Sequence, residues 1–293
     1  MASTQQLKRR IGSVKNTKQI TKAMELVAAS KMRKATESAH RGRAYREAAH
    51  EMLARLNMVT EINDHPLYQE RPVRNRLYIA ITSDRGLAGA YNANIIRMLT
   101  RAVGDDRKAG IKSQVIIIGK RGGQYLRRIE QLDIIAAYSD MGDQPSANSI
   151  RPILKTIIES YTAAQTDEVC VLYTKHKSNI TQVADNLTIL PAIYEAYDSD
   201  KDLPDLNNVT FEPSPQEVLE NVTERLLEVQ IWQALLESIA SEHSMRMLSM
   251  KNATDNATDI IADLTLEFNT ARQAKITQEL AEITGGAEAM KDE

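Results

Sequence analysis

The stretch SIASEHSMRMLSMKNATDNATDIIADLTLEFNTA, residues 238–271, decides the fold, because its apolar side chains recur every three or four positions. It belongs to a longer stripe in which thirteen of sixteen positions are apolar, a spacing that predicts a coiled-coil helix. Residues 216–284 contain neither Gly nor Pro, so a helix of about 100 Å is expected at ~1.5 Å per residue. The stripe comprises Leu219, Val222, Leu226, Val229, Gln233, Leu236, Ala240, His243, Met247, Met250, Thr254, Ala257, Ile261, Leu264, Phe268 and Ala271. A shifted stripe continues it at Ile276, Leu280 and Ile283.

The opposite end of the chain predicts a second long helix, broken only by Gly12 and Gly42 over about 55 residues. Its apolar stripe is less regular, and its apparent phase shift predicts a local change in supercoiling. The stripe begins at Leu7, Ile11 and Val14 and moves to Ile20, Met24 and Val27.

The net charge of -2 hides a strong asymmetry along the 293 residues. Residues 1–56 hold 13 Lys+Arg and 4 Asp+Glu, a net charge of +9, whereas residues 211–293 hold 6 and 16, a net charge of -10. The residues between them carry a net charge of -1. A basic and an acidic helix at opposite ends of one chain favour an antiparallel pair, although each exposed ion pair adds only about 0–1 kcal/mol.

The middle of the chain has shorter elements, with strand-like runs that alternate with helical ones. This alternation predicts βαβ units on a mainly parallel sheet. The predicted strands are residues 77–82, 115–118 and 169–173, the helices are 92–103 and 149–164, and residues 191–215 form a loop. The fold class is therefore α/β, with a long antiparallel two-helix coiled coil from the N- and C-terminal segments and a central Rossmann-like βαβ domain. The coiled-coil shaft is assigned to residues 1–65 and 211–293, and the globular domain to residues 66–210.

Composition excludes several classes of protein. A single Cys, 12 Gly and 8 Pro exclude a disulfide scaffold and a collagen-like chain. The mean hydropathy of -0.39 and the lack of a long apolar run predict a soluble chain without a membrane span.

Candidate chemical motifs favour structural roles. The turns SDRGLAGAYN (83–92) and GKRGG (119–123) match neither a phosphate-binding loop nor G-x-G-x-x-G, so tight strand-to-helix turns are expected. Cys170 lies in an apolar strand without a resolving partner. The histidines lack the paired spacing of a zinc site. They are His40, His50, His65, His176 and His243. No metal, cofactor or catalytic residue is therefore assigned.

The basic N-terminal helix leaves three interpretations open. It could dock on an acidic protein surface, bind nucleic acid, or present a merely solvated basic face. The absence of a recognition module and the acidic C-terminal helix argue against nucleic acid.

Four ordered motifs resemble the γ subunit of the F-type ATP synthase. SVKNTKQITKAMELVAASKMRKA (13–35) resembles that family's first shaft helix, and SDRGLAGAYNANI (83–95) its turn after the first strand. SEHSMRMLSMKNATDNA (241–257) and LTLEFNTARQAKITQELAEITGGAEA (264–289) resemble its C-terminal shaft helix. Ala88 and Ala90 depart from the SDRGLCGG form of the turn, and a chloroplast-type segment with a regulatory Cys pair is absent.

The resemblance implies a non-catalytic central-stalk subunit, one copy per complex, that rotates inside a ring of α and β subunits. It implies partnership with the ε subunit and the membrane-embedded c ring, and coupling of proton flow to ATP synthesis or hydrolysis at the β-subunit sites. The alternative is a coiled-coil adaptor or nucleic-acid-associated scaffold. No signal or transit peptide is expected, so the predicted location is the cytoplasmic side of a bacterial inner membrane, peripheral to it.

The resemblance also assigns partner-coupling positions. Lys22 and Met24 match the family's N-terminal positions near the β-subunit lever. The positions that match C-terminal coupling residues are Arg246, Gln273, Thr277 and Glu279.

Overall fold

A computed structural model describes residues 3–56, 62–129, 132–143, 145–178, 180–192 and 211–289. Two helices dominate it: α1 spans Thr4–Leu56 and α5 spans Pro215–Ala289. Between them lie β1 (Asn75–Ile81), α2 (Tyr91–Lys108), β2 (Lys112–Ile118), α3 (Lys120–Leu126), β3 (Asp133–Tyr138), α4 (Arg151–Thr162), β4 (Glu168–His176) and β5 (Gln182–Leu190). Short 3-10 turns occur at Ile62–Asp64 and Ala147–Ser149.

The five strands form one sheet in the order β3-β2-β1-β4-β5. β1 pairs in parallel with β2 and β4, β2 pairs in parallel with β3, and β5 is antiparallel to β4. The predicted α/β class with a mainly parallel sheet is confirmed, as are the three predicted strands and two predicted helices. Within the described residues, β3, β5 and the short α3 were not anticipated by the sequence.

Alternate side chains of the central strand separate the core into two faces. Leu77, Ile79 and Ile81 are buried with α4 and with residues 219–240 of α5. Tyr78 and Ala80 point to the other face, where α2 packs against the sheet. This alternation follows from the two-residue period of a strand, and it covers both faces of the sheet, as parallel strands require.

The chain divides into two compact units. One comprises residues 1–27 and 247–293, and the other comprises residues 28–246. The sequence-based boundaries at residues 65 and 211 remain a prediction. The first unit is a pair of antiparallel helix segments in which Leu7, Thr21, Thr254 and Leu264 are buried.

All sixteen residues of the α5 stripe are buried or half-buried, as predicted. Leu219, Leu226 and Ala240 are buried in the core cluster that contains β1 and α4, so the first part of the stripe is not a simple two-helix seam. The shifted continuation differs, since Ile276, Leu280 and Ile283 are exposed. Every residue from 272 to 284 is exposed in this chain.

The predicted phase shift in α1 is wrong. Ile20 and Val27 are exposed. The buried and half-buried residues of α1 instead follow a regular seven-residue repeat. The predicted local change in supercoiling therefore has no basis. A polar residue, Thr21, occupies the buried seam at the point where the apolar stripe of α1 is interrupted. Its hydroxyl group lies 2.8 Å from that of Thr254. Because each hydroxyl has a hydrogen-bond partner, burial is tolerated there. The repeat runs through Leu7, Val14, Thr21, Ala28 and Ala35.

Candidate functional site

The carboxyl ends of three parallel strands are tied together by one side chain. Asp84, just after β1, accepts a hydrogen bond from the backbone N–H of Lys120 at 3.0 Å and from that of Asp140 at 3.0 Å. Lys120 follows β2 and Asp140 follows β3. The acidic residue of the SDRG turn therefore fixes the loops beyond the two neighbouring strands.

Two of the three glycines of the second turn, Gly119 and Gly122, allow close packing against Thr82, in line with the predicted tight strand-to-helix turn. Gly119 has a positive φ of 102°, which L side chains rarely adopt, and a Cβ there would overlap the carbonyl group of Thr82. The Thr82 hydroxyl donates to the carbonyl oxygen of Ile118 at 2.7 Å and accepts from the N–H of Gly122 at 3.1 Å. Thr82 therefore fills the space beside both Gly119 and Gly122.

The SDRG turn is held by its own side chains. Asn92, at the start of α2, accepts the N–H of Ser83 at 2.9 Å, and the Ser83 hydroxyl donates to the carbonyl oxygen of Arg85 at 2.6 Å. In this conformation the carbonyl oxygens of Arg85 and Gly86 both accept hydrogen bonds from α5.

Arg246 supplies those hydrogen bonds. Its Nε and Nη2 donate to the carbonyl oxygen of Gly86 at 3.3 and 3.2 Å, and Nη2 lies 3.4 Å from that of Arg85. Nη2 also forms an ion pair of 2.6 Å with Glu242, one helical turn earlier. The side chain is only 9% exposed, and a buried guanidinium requires such pairing.

His243 connects Arg246 to the rest of the domain. Its Nδ1 lies 3.0 Å from Nη1 of Arg246, and its Nε2 lies 2.9 Å from Oδ1 of Asp143. An arginine can only donate, so Nδ1 must accept and Nε2 must carry the proton that is donated to Asp143. The geometry thus requires a neutral imidazole in one tautomer.

Lys31 of α1 completes this group of side chains, with its ammonium 2.6 Å from Oδ2 of Asp143. Lys31, Asp143, Glu242, His243 and Arg246 are called the Arg246 network below. Two cations and two carboxylates surround one neutral imidazole, so the network is balanced in charge. It links both long helices to the SDRG turn and to the loop after β3, within the unit of residues 28–246.

Burial and neighbouring charges set the protonation states. Burial, helped by the positive charge of Arg246, lowers the pKa of His243 to about 4. Burial raises the pKa of Glu242, although Arg246 opposes the change. Burial alone would raise the pKa of Asp143, but Lys31 and His243 outweigh it and lower the pKa of that carboxyl group.

Only one of the six predicted coupling residues belongs to this network. Arg246 is buried in it, whereas Lys22 is exposed on α1 and pairs with Glu25 at 2.9 Å. Met24 is half-buried on α1. The remaining three lie together on the exposed end of α5; they are Gln273, Thr277 and Glu279. There the Thr277 hydroxyl donates to the carbonyl oxygen of Gln273 at 3.0 Å, and Glu279 lies 3.5 Å from Lys275.

Sequence reasoning missed four members of the network. His243 was interpreted as a seam residue, and Glu242 was not singled out. A signal existed, since Glu242, His243 and Arg246 are separated by the three and four positions that place side chains on one helical face. Asp143 and Lys31 had no local signal, because only the fold brings them to α5.

Other candidate chemistry has a structural explanation. Burial raises the pKa of the Cys170 thiol to about 11, which keeps it protonated and unreactive at neutral pH. Among the described residues, no group of three or more His, Cys, Asp or Glu side chains is arranged to hold a metal ion. Across that same part of the chain, no helix has the length and apolar character of a membrane span.

A long antiparallel helix pair built from both chain ends and a five-stranded α/β domain are the features of one class of protein, the central-stalk subunits of ATP synthases. The family model described as ATP synthase matches residues 3–290. The ATP synthase gamma chain of Moorella thermoacetica is 38% identical over 99% of this chain and 100% of its own length. That of Desulfitobacterium hafniense is 40% identical over the same shares. The chain belongs to the ATP synthase gamma chain family.

Solved structures agree in fold. A chain of the Tetrahymena thermophila mitochondrial ATP synthase central stalk and c-ring matches with a TM-score of 0.61 and 25% identity, over 80% of this chain and 99% of that one. A chain from the Euglena gracilis mitochondrial ATP synthase has a TM-score of 0.67 and 18% identity, over 98% and 94%. The alternative of an adaptor or a nucleic-acid-associated scaffold is not supported.

Proposed function

We propose that this chain is the rotating central shaft of a proton-translocating F-type ATP synthase. It turns inside a ring of α and β subunits and couples proton flow through the membrane sector to ATP synthesis, or hydrolysis, at the β-subunit sites. The chain itself contributes no catalytic site. Family membership over nearly the whole chain supports this role.

One observation carries the proposal: α5 continues as a helix well beyond the part that packs within the chain. The stripe is buried at Leu264, but every residue from 272 to 284 is exposed. Ile276, Leu280 and Ile283 are 48%, 58% and 68% exposed, and their spacing of four and three positions places them on one helix face. Clustered exposed apolar residues of this kind indicate a protein interaction site. A helical end of this kind suits insertion into a ring of other subunits.

Four of the six proposed coupling residues fall on exposed surfaces that suit such a role. Gln273, Thr277 and Glu279 lie on the exposed end of α5, and Lys22 lies on the basic face of α1. Residues 1–56 carry a net charge of +9, so acidic surfaces of the β subunits would attract this helix at long range without a fixed contact.

The proposed partners are the α and β subunits, the ε subunit and the c ring, with one copy of this chain per complex. The complex would lie at the bacterial inner membrane, with this chain peripheral to it on the cytoplasmic side. The matched Tetrahymena structure is described as a mitochondrial central stalk with its c-ring, which supports the proposed association with a c ring.

The test is ATP-driven ion transport by the intact complex. The complex that contains this chain is reconstituted in vesicles, and internal acidification is followed by fluorescence quenching after ATP is added. We expect acidification with the full complex and none when this chain is omitted. ATP-driven sodium uptake by the vesicles that persists with a protonophore would contradict the proton assignment. Purification of the chain on nucleic acid without ATPase subunits would contradict the whole proposal.

Arg246→Ala tests the proposed coupling residue that lies inside the domain. We expect proton pumping to fall more than ATP hydrolysis. Normal values for both would mean that Arg246 has no role in coupling.

A further inference from the structure

The Arg246 network joins the SDRG turn and the loop after β3 to the two long helices. Lys31 on α1 is the fourth residue of the unit that comprises residues 28–246, and Arg246 on α5 is its last. Both helices continue in sequence beyond these points. Lys31 and Arg246 therefore stand near the sequence positions at which the two helices continue out of this unit.

The half-exposed carboxylate of Asp143 contacts both long helices, through Lys31 of α1 and His243 of α5. Its loop is held on one side by the hydrogen bond between Asp84 and the N–H of Asp140. On the other side, the indole N–H of Trp232 donates to the carbonyl oxygen of Pro145 at 3.0 Å. The loop is thus fixed before and after Asp143, and the carboxylate accepts from α1 and α5 through its two oxygens.

His243 transfers this constraint to Arg246. Asp143 holds the proton on Nε2, and this leaves Nδ1 free to accept from Nη1 of Arg246. Glu242 holds Nη2 of the same guanidinium. With both ends of its fork fixed, Arg246 is directed at the carbonyl oxygens of the SDRG turn.

We propose that His243, together with Asp143 and Lys31, positions Arg246 so that the network clamps both long helices to the α/β domain and transmits torque between them. The proposal rests on the function proposed above. Torque on a shaft is lost if its two helices can slip against the domain that turns them. The buried hydrogen bonds of Arg246 and His243 resist such slip of α5 because they are directional and costly to break without replacement. The half-exposed pair between Lys31 and Asp143 adds a directional contact that holds α1 to the same loop.

The test compares two substitutions at His243 in the complete complex. His243→Leu removes both hydrogen bonds, whereas His243→Gln restores a donor toward Asp143 and an acceptor toward Arg246. The ratio of initial proton pumping to ATP hydrolysis is measured for each. We expect His243→Leu to lower this ratio by about threefold or more, as for loss of one member of a coupled network, and His243→Gln to stay near the unsubstituted value.

A matched pair at Asp143 decides the question even if His243→Leu does not assemble. Asp143→Ala removes the acceptor that fixes the imidazole tautomer and should lower the ratio, whereas Asp143→Asn keeps an oxygen acceptor and should lower it less. Lys155→Met is the control, because Lys155 forms an exposed pair with Glu159 outside the network.

The outcomes separate the clamp from the function on which it rests. Normal coupling in both His243→Leu and Asp143→Ala would overturn the clamp alone. Equal loss in His243→Leu and His243→Gln would also overturn it, because a Gln side chain keeps the hydrogen bonds. An unsubstituted complex that does not pump would overturn the proposed function, and the clamp with it.

Discussion

The paired helices bury polar side chains in two regions, and the two regions do so by different means. In the unit of residues 1–27 and 247–293, Thr21 and Thr254 share one hydrogen bond between hydroxyl groups. In the unit of residues 28–246, the Arg246 network contains four charged side chains around a neutral histidine. Neutral hydroxyl pairs cost little to bury and little to lose, whereas paired charges are costly to leave incomplete. The contrast predicts that substitutions at Thr21 and Thr254 lower the free energy of unfolding only slightly, whereas substitutions at the buried charges of the Arg246 network lower it strongly.

Arg246→Leu should give the largest effect in either region. It leaves the Glu242 carboxylate buried without its cation and removes the donors to the carbonyl oxygens of Arg85 and Gly86. Removing one partner of a buried ion pair costs about 3–5 kcal/mol, and we expect that loss in urea unfolding of the full-length chain. The control is Arg97→Leu, an exposed arginine on α2. Equal, small losses for both variants would show that the network does not stabilise the fold.

The second-largest effect should be a dependence of the free energy of unfolding on pH that is caused by the titration of His243. Its pKa is about 4 in the folded chain and about 6.5 when unfolded, so the unfolded chain binds more protons between these values. The free energy of unfolding should therefore fall as the pH drops from 6.5 to 4. Each pKa unit corresponds to about 1.4 kcal/mol, so the loss is up to roughly 3 kcal/mol.

His243→Gln isolates this contribution. The raised pKa of Glu242 acts in the opposite direction, since it favours the folded state as the pH falls, and the lowered pKa of Asp143 acts at lower pH. Both groups remain in the Gln variant. The difference between the two unfolding curves over pH 4–6.5 should therefore come from His243 alone. Parallel curves would mean that the imidazole does not titrate as the structure requires.

The sequence anticipated the regions that depend on local periodicity. The α5 stripe and the strands containing Ile79, Ile116 and Val171 were predicted because side-chain spacing alone determines which face is buried. β3 and β5 were missed because they lie at the two edges of the sheet and carry mixed, partly exposed side chains. The α1 register was misjudged because Thr21 is polar, and only its contact with Thr254 explains its burial.

The candidate site was less predictable for a physical reason. Asp143 lies 100 positions from His243, and Lys31 lies farther still from Arg246 in sequence. Spacing along a helix can indicate Glu242, His243 and Arg246 as one face. It cannot indicate which loop supplies the carboxylate, since that is determined by the parallel sheet and by Asp84.

Thr21→Val should have a smaller effect than either change in the network. Only one of the two hydroxyl groups can donate to the other, and Thr254 is also positioned to donate to the carbonyl oxygen of Met250 at 2.8 Å. We expect a loss of about 1 kcal/mol in urea unfolding, the usual net value of one hydrogen bond. Thr17→Val, on the exposed face of α1, is the control. The double variant Thr21→Val with Thr254→Val should lose little more than Thr21→Val alone, because both hydroxyl groups of the pair are then replaced by methyl groups of similar shape. A double variant that loses several kcal/mol would remove the distinction between the two regions.

Lys31→Met should have the smallest effect and sharpens the comparison within the network itself. Lys31 is 32% exposed and its partner Asp143 is 48% exposed, so water screens this pair and its loss should cost only about 0–1 kcal/mol of stability. Lys34→Met, also on α1 and exposed, provides the baseline. If Lys31 contributes mainly to the clamp, Lys31→Met should lower the ratio of proton pumping to ATP hydrolysis, while the free energy of unfolding stays within about 1 kcal/mol of the unsubstituted value. If Lys31→Met instead lowers the free energy of unfolding as much as Arg246→Leu does, the pair between Lys31 and Asp143 is as poorly solvated as the buried pair between Arg246 and Glu242. That result would remove the difference between the two pairs.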